Sequence, residues 1–456
     1  MRIDMTNGSP LRAMVRFCMP MLLGGALMQL GQLADGLIVG RAVGVGAFAA
    51  IAAAAPVAML ATGFLMGLCN GFLLPIALAV GAGDRDIADR CASAALLMTA
   101  LMAAAVALPA AALAGRLIEW AGTPAELAAD ARCYLRVAMA GLPVPLITMA
   151  LSGLMRAEGD TKTPLRFYAL SMGLHLALDL LLVVALRLGV AGAAHASLLA
   201  QAAACGLFAR RVLRDRPGVM RYARFGVRRE VAGRLLALGA PIGLTNLLSA
   251  AGATALQVAI NALGGATVAA VAVAERLYGL AVAPAMAMGG VIEVFSGQNY
   301  GAGRVDRVRA GAVRLYALTA ALLTPAALLL AAGSGFLVPL WGGGAAASLT
   351  DLARIYLIWC ALAAPFQCAN SILKNLLQGV GMPQKAVIGP ACELAVRLSC
   401  ALPGARALGL AAVCAAHLGG AALSALALAI RCRAALASDG QRAPIHRSIA
   451  DRIART

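Results

Sequence analysis

Charged residues are scarce in this sequence. They make up 13% of its 456 residues, whereas 62% are hydrophobic, and an ordinary soluble domain has about 25% charged residues. This balance argues against a soluble enzyme. The sequence also lacks a P-loop, a nucleophile elbow, a zinc-protease helix and a Rossmann fingerprint. We therefore predict a membrane protein that is not an enzyme and that does not hydrolyse ATP by itself.

Cysteines and aromatic residues offer no cofactor site either. The eleven cysteines lie mostly inside apolar runs, and no C-x-x-C or Cys/His metal spacing occurs. We interpret them as small core residues. Aromatic residues are only 4% of the chain, which leaves no evident aromatic cage for one particular cation. No resident cofactor or metal is expected.

Long apolar runs are what the sequence has instead. A membrane-spanning helix needs about 20 mostly apolar residues, and twelve spans would leave 38 residues for each span with its loop. We predict an all-α integral membrane protein with about twelve transmembrane helices. The second run is too long for a straight span, so it must tilt, bend near Pro56 or project beyond the membrane. The runs centre on residues 14–39, 47–80, 91–114, 132–153, 165–186, 190–209, 237–262, 267–297, 310–332, 351–372, 386–403 and 408–430.

The basic residues are distributed unevenly between the loops. The net charge is +18, and nine arginines lie between residues 210 and 234. Loops on the same side hold further basic residues, such as Arg156, Lys162 and Arg166, while alternate loops hold almost none. This alternation is a positive-inside pattern and not a nucleic-acid-binding face. It predicts a bacterial inner-membrane protein with both termini in the cytoplasm.

The sequence repeats itself at an offset of 220–222 residues. Pro20 matches Pro241, Trp120 matches Trp341, and A-R-C-Y-L at 131–135 matches A-R-I-Y-L at 353–357. Each copy holds six predicted spans, so the copies have the same topology and form two lobes suited to alternating access. The predicted parts are an N-terminal lobe (1–209), a cytoplasmic linker (210–234), a C-terminal lobe (235–432) and a basic tail (433–456).

Acidic residues inside the predicted spans are candidate functional sites, because an ionised side chain is costly in hydrocarbon. Asp35 follows Gln29 and Gln32 at a spacing of three, so this polar row is expected to face the cleft between the lobes. Asp35 bonded to a neighbouring helix is the alternative. The spans contain five acids: Asp35, Asp179, Glu275, Glu293 and Glu393.

Two pairs of titratable or charged residues lie four positions apart. His175 and Asp179 share a helical face and form either a proton relay or a satisfied structural pair. Glu393 and Arg397 are expected to neutralise each other, and the repeat places Arg397 where the first lobe has His175. Glu275 and Glu293 are secondary titrating candidates.

Four motifs carry a family resemblance. The chain resembles the multidrug and toxic compound extrusion (MATE) family, and is closer to its DinF-like branch, over nearly its whole length. The motifs occur in the same order as in that family: Gln32–Arg41 (QLADGLIVGR), Arg156–Pro164 (RAEGDTKTP), Gly189–Ala194 (GVAGAA) and Gly297–Ala302 (GQNYGA).

The resemblance implies a secondary antiporter that exports cationic or amphipathic small molecules. It places a cation or proton site on Asp35, His175, Asp179 and Ser197, where His175 replaces an Asn of the DinF-like branch. An imidazole in place of an amide oxygen favours coupling to protons, with sodium as the alternative. Span seven has no acid, and Asn370 replaces an Asp of the NorM-like branch, so a second cation site is not expected. The candidates for the substrate cleft are Gln29, Gln32, Asn70, Glu275 and Asn370.

Two other functions stay open at this point. A flippase for a lipid-linked precursor would share the fold, but its phosphates would favour a cleft with more arginines than Arg276 and Arg397. An intramembrane enzyme could use His175 and Asp179, but no nucleophile or metal set stands at a recognisable spacing. We expect a monomer whose partners are its small-molecule cargo and the surrounding lipids.

Overall fold

A computed structural model of the chain describes residues 4–43, 45–120, 125–224, 226–227, 229–342 and 347–438. The described residues form helices joined by short turns. The predicted basic tail (433–456) lies outside the described residues from residue 439 onward. The helices of the first half are α1 (Pro10–Ala42), α2 (Val45–Phe72), α3 (Leu74–Ala82), α4 (Arg85–Ala112), α5 (Ala114–Trp120), α6 (Ala125–Ala140), α7 (Pro143–Ala157), α8 (Lys162–Asp179), a π-helical segment (Leu180–Ala185), α9 (Gly189–Asp215) and α10 (Pro217–Ala223).

The second half is built in the same way. Its helices are α11 (Arg229–Asn261), α12 (Gly265–Gly301), α13 (Val305–Ala332), α14 (Ser334–Gly342), α15 (Ala347–Gly379), α16 (Pro383–Ala386), α17 (Ile388–Val396), a π-helical segment (Arg397–Ala401), α18 (Leu402–Leu408) and α19 (Leu410–Ser438).

Among the described residues, eight helices are long and apolar enough to cross a membrane. Two bent pairs raise the number to ten, and one of them joins Ala128–Ala140 to Pro143–Ala157 at an angle of 43°. The helix of the long second run is interrupted at Leu73, because Pro75 has no N–H to continue the ladder of α2. Thr62–Ala82 still forms one candidate span across this point.

The chain divides into two compact units. Among the described residues, unit 1 comprises Asp4 and Met19–Gly243, and unit 2 comprises Met5–Cys18 and Leu244–Ser438. The helices α1 and α11 each begin in one unit and end in the other.

The first segment of unit 2 is held by polar side chains of the same unit. The amide of Asn299 donates to the backbone oxygen of Met5 over 2.9 Å, and Arg307 donates to that of Asn7 over 2.8 Å. The side chain of Met5 is fully buried. Asn299 belongs to the GQNYGA motif, so this motif anchors the start of the chain.

Each unit has its own apolar core. In unit 1 the core surrounds Phe72, Leu146 and Phe208, and the ring of Phe167 meets that of Phe208 edge-on at 5.0 Å. In unit 2 the core surrounds Ile260 and Leu357. Burying these side chains orders the helices that carry the functional groups.

Two glycines let α2 and α11 approach closely in unit 1. A Cβ atom added at Gly71 would lie 2.9 Å from the backbone oxygen of Leu238 and would also meet Gly239. A Cβ atom at Gly239 would lie 2.9 Å from the ring of Phe72. Only glycine fits at either place without moving a backbone.

The predicted linker is anchored to unit 1 by ion pairs. Arg216 lies between α9 and α10 and contacts both Asp89 of α4, at 2.5 Å, and Glu158, which follows α7. The three side chains are between 7% and 17% exposed. Part of the arginine-rich segment is therefore a structural clamp.

We expect Gly239→Ala to destabilise unit 1, because the added methyl group overpacks the contact between α2 and α11 at a cost of about 1–3 kcal/mol. Thermal unfolding of the purified protein measures this loss. Gly233→Ala, on the same helix with no atom within 4 Å of its added Cβ, is the matched control. Equal unfolding temperatures of the two variants would contradict the close approach.

We expect Arg216→Gln to cost about 3–5 kcal/mol, since it leaves two half-buried carboxylates without a cation. The matched control is Arg211→Gln, which removes an exposed pair with Asp215 at 3.1 Å and is expected to cost about 1 kcal/mol or less. Chemical denaturation compares the two. A loss of similar size in both variants would show that Arg216 is not a clamp.

Candidate functional site

Three titratable side chains from two helices form a cluster in unit 1. Asp35 lies on α1, while His175 and Asp179 lie one turn apart on α8. One ligand atom from each side chain lies within 4.8 Å of the other two, and Nε2 of His175 is 3.5 Å from Oδ2 of Asp179. The structure thus brings together three of the four residues predicted as the coupling site.

The cluster lies where α8 changes its winding. The α-helix ends at Asp179 and continues as the π-helical segment Leu180–Ala185. Such segments occur often at functional sites, because wider winding redirects the side chains next to it. Asp179 is 0% exposed.

The polar atoms of this cluster are buried without hydrogen-bond partners among the described residues. They are Oδ1 of Asp35, Nε2 of His175 and both carboxylate oxygens of Asp179. Buried polar atoms are usually bonded, so a set of unbonded ones facing each other can receive a cation or a proton. Two carboxylates and one imidazole are suitable ligands for a small cation.

A cavity of about 610 Å³ lies next to the cluster in unit 1, and His175 is part of its wall. The wall is largely apolar and includes four methionines, whose flexible side chains adapt to ligands of different shape. The methionines are Met21, Met66, Met149 and Met172. Neither Asp35 nor Asp179 is among the described residues that line the cavity.

Two more predicted residues line this cavity. Asn70 contributes from α2, and Ser197 contributes from α9, where its hydroxyl accepts a hydrogen bond from Gln201 over 3.0 Å. Ser197 therefore belongs to the same cavity wall as His175. The side chains of Gln29 and Gln32 lie outside the described residues.

Unit 2 contains a different polar arrangement. Nη2 of Arg397 lies 3.7 Å from the Glu393 carboxylate and 3.3 Å from Nδ1 of His417. The side-chain amide of Gln367 lies 2.7 Å from Nε2 of His417 and 2.8 Å from the hydroxyl of Tyr278. The chain of contacts joins α12, α15, α17 with its π-helical segment, and α19.

Nitrogen donors face both ring nitrogens of His417. Because an arginine only donates, Nδ1 of His417 accepts from Arg397. The side-chain nitrogen of Gln367 faces Nε2, while the side-chain oxygen of Gln367 accepts from the hydroxyl of Tyr278. Arg397 is 7% exposed and supplies a fixed positive charge beside Glu393, as its sequence spacing predicts.

Comparison with known proteins identifies the family. The MatE family model matches residues 20–181 and 241–398, and the two matches begin at Pro20 and Pro241, which the internal repeat aligns. The chain belongs to the MatE family. It is a multi-pass membrane transporter and not an enzyme.

Several relatives and solved structures of this family resemble the chain. The probable multidrug resistance protein YpnP of Bacillus subtilis is 31% identical over 314 residues, which cover 67% of this chain and 68% of YpnP. An FAD transporter of Shewanella oneidensis is 24% identical over 304 residues, covering 65% of this chain and 67% of that protein.

Solved structures confirm the predicted fold class. A MOP superfamily transporter from Pyrococcus furiosus superposes with a TM-score of 0.85 at 24% identity, covering 96% of this chain and 99% of the other. The Vibrio cholerae MATE transporter VcmN in its bent form superposes with a TM-score of 0.85 at 22% identity, covering 93% of this chain and 96% of VcmN. The MatE chain is an all-α membrane protein with the twelve-helix fold.

The other predicted residues of this MatE protein lie in unit 2. Glu275 is exposed and accepts a hydrogen bond from the hydroxyl of Tyr356 over 3.0 Å. The amide nitrogen of Asn370 donates to the backbone oxygen of Ala421 over 3.1 Å. Glu293 lies near Lys374, which also interacts electrostatically with Glu393. A cleft role for Glu275 and Asn370 stays a prediction.

Sequence reasoning missed three residues. Arg156 and Thr161 line the cavity, although the distribution of basic residues placed Arg156 among the cytoplasmic loop charges. His417 is part of the polar chain in unit 2. The sequence signal for His417 was a histidine within an otherwise apolar predicted span, because a buried imidazole needs hydrogen-bond partners.

We expect Asp179→Asn to raise the unfolding temperature of the protein at pH 8, because a neutral amide avoids the cost of a buried, unbonded carboxylate. Thermal unfolding without substrate measures the change. Asp160→Ala is the control, since Asp160 accepts hydrogen bonds from the backbone N–H and hydroxyl of Thr163 and its loss is expected to cost about 1 kcal/mol. A lower unfolding temperature for Asp179→Asn would show that Asp179 has a structural role.

Proposed function

We propose that this MatE protein is a proton-driven exporter of amphipathic small molecules, cationic ones among them. The supporting observation is the cluster of Asp35, His175 and Asp179, whose buried atoms lack partners. It adjoins a methionine-rich cavity large enough for a drug-sized molecule. The names of YpnP and YoeA, both probable multidrug resistance proteins of Bacillus subtilis, favour the same cargo class.

The coupling runs through His175. The carboxylates hold the proton, whereas the cavity holds the cargo, and His175 alone of the three belongs to both. In the outward-open state a periplasmic proton binds a carboxylate oxygen of Asp35 or Asp179. Protonation of one carboxylate weakens the attraction of Asp35 and Asp179 for His175. The charge and the orientation of the His175 side chain in the cavity wall then change, so the cargo is released. A proton shifts the equilibrium between the outward-open and inward-open states because the two states bind the proton with different affinities.

Protons suit this site better than sodium ions. Sodium prefers several oxygen ligands, whereas this cluster offers a ring nitrogen from His175 where the DinF-like branch offers an amide oxygen. An imidazole binds and releases a proton near neutral pH. The same residues support assignment to the DinF-like branch.

The orientation follows from the basic loops. Lys and Arg concentrate on one side of the predicted spans, which supports a bacterial inner-membrane location with both termini in the cytoplasm. Cargo would then enter from the cytoplasm, and protons would return inward. We infer that a monomer is sufficient, because the cluster and cavity lie within a single unit.

We expect proteoliposomes to export ethidium when a pH gradient is imposed without sodium. Asp35→Asn and Asp179→Asn each remove a proton-binding oxygen, so both are expected to abolish gradient-driven export. His175→Asn restores an amide and is expected to weaken the response to the pH gradient and introduce a response to sodium. Dye fluorescence measures the rates.

His195→Asn is the matched control for the histidine variant. His195 lies on α9, and its Nδ1 contacts the backbone oxygen of Ala191 one turn earlier, at 2.7 Å. Because His195 does not line the described wall of the cavity, export is expected to stay at the wild-type rate. Export by the wild type only under a sodium gradient would contradict proton coupling. Movement of a lipid-linked precursor, with no ethidium export under either gradient, would favour the flippase.

A further inference from the structure

The described residues that line the cavity of unit 1 include one with a permanent charge, and that charge is positive. Among the described residues that line it, Arg156 is the only arginine, lysine, aspartate or glutamate. The titratable His175 is the only other lining residue that can carry a charge near neutral pH. A purely cationic cargo would therefore meet a guanidinium and no carboxylate in this wall.

Nearby acids are committed to other partners. Glu158 contacts the buried side chain of Arg216. Asp160 accepts two hydrogen bonds from Thr163 at the start of α8. Arg156 itself donates to the uncharged hydroxyl of Ser152 over 2.9 Å. Within the described part of the chain, no carboxylate is paired with Arg156, so its charge is available to a ligand.

A second donor on the same wall has no partner. Thr161 lines the cavity and is 3% exposed, and its hydroxyl forms no hydrogen bond with the described residues. A buried hydroxyl without a partner is costly unless a ligand or water bonds it. Arg156 and Thr161 are five residues apart, at the end of α7 and the start of α8.

We propose that the cavity selects amphipathic cargo that carries an anionic oxygen group, a carboxylate or a phosphate, and that Arg156 binds this group. Thr161 donates a second hydrogen bond to it. The apolar body of the cargo lies against the methionines. A zwitterion, which also carries a positive charge, meets this requirement, whereas a simple cation such as ethidium lacks the anionic group and is expected to be a cargo that binds about tenfold more weakly. The inference rests on the proposed function only in taking this cavity as the cargo site.

A pair of dyes tests this selection directly. Tetramethylrhodamine carries a free carboxylate, and its methyl ester has the same cationic ring system without that negative charge. We expect the wild-type protein to bind the acid about tenfold more tightly than the ester, because a charge-assisted hydrogen bond to arginine is lost on esterification. Fluorescence anisotropy in phosphatidylcholine nanodiscs measures both affinities, with empty nanodiscs giving the membrane contribution.

The variants locate the selective group. In Arg156→Gln we expect equal affinities for the two dyes, and in Arg156→Lys we expect part of the preference for the acid to remain. In Thr161→Val we expect a lower affinity for the acid and an unchanged affinity for the ester. Arg166→Gln is the matched control, since Arg166 is exposed on α8 and does not line the cavity. Equal affinities for the two dyes in the wild type, or a preference that persists in Arg156→Gln, would overturn the proposal.

Two further comparisons are needed. The first distinguishes an anionic group of a soluble cargo from that of a lipid headgroup, and the second distinguishes cargo selection from proton coupling. Adding phosphatidylglycerol to the nanodiscs leaves the preference for the acid unchanged if the anionic group belongs to a free amphipath. Loss of the preference in that lipid would assign Arg156 to a lipid headgroup and overturn selection of soluble cargo. Binding is measured without any gradient. The affinities for the acid and the ester can therefore be compared even if proton coupling, and with it the proposed function, is contradicted. Unfolding temperatures confirm that each variant is folded.

Discussion

The cost of holding an ionised side chain in hydrocarbon governs where charge can lie in this protein. The two units meet this constraint differently, although they arise from the same repeat. In unit 2, Arg397 lies 3.7 Å from Glu393 and contacts His417, which in turn contacts Gln367. In unit 1, Asp179 is fully buried, and neither of its oxygens forms a hydrogen bond with the described residues. One lobe thus has a permanent guanidinium near its carboxylate, whereas the other has an imidazole at 3.5 Å.

This difference can be traced to single positions of the repeat. Arg397 occupies the place of His175, so a permanent guanidinium replaces a group that gains and loses a proton near neutral pH. The lobe with the histidine has a site whose charge can change, next to a cavity that can hold a small molecule. The acids differ between the repeats as well, since Asp179 corresponds to Ala401 and Glu393 to Ser171 at the offset of 222 residues.

The sequence predicted most of the helices and the cluster, for clear physical reasons. Apolar runs of sufficient length identify spans, and a histidine four residues before an aspartate must share a helical face. The proximity of Asp35 to α8 does not follow from spacing, and here the family resemblance provided the expectation. Arg156 could not be placed, because counting charges by membrane side says nothing about the direction of a side chain. The interruption at Leu73 was not predicted, although Pro75, two residues later, was its sequence signal.

The division of the chain into units does not follow its linear order. Met5–Cys18 belongs to unit 2, and the first fifteen residues of α11, up to Gly243, belong to unit 1. Each boundary therefore falls within a helix and not within a loop. A cut in the arginine-rich linker would not separate the residues of the two units, because Met5–Cys18 would stay in the first fragment and the first residues of α11 would stay in the second.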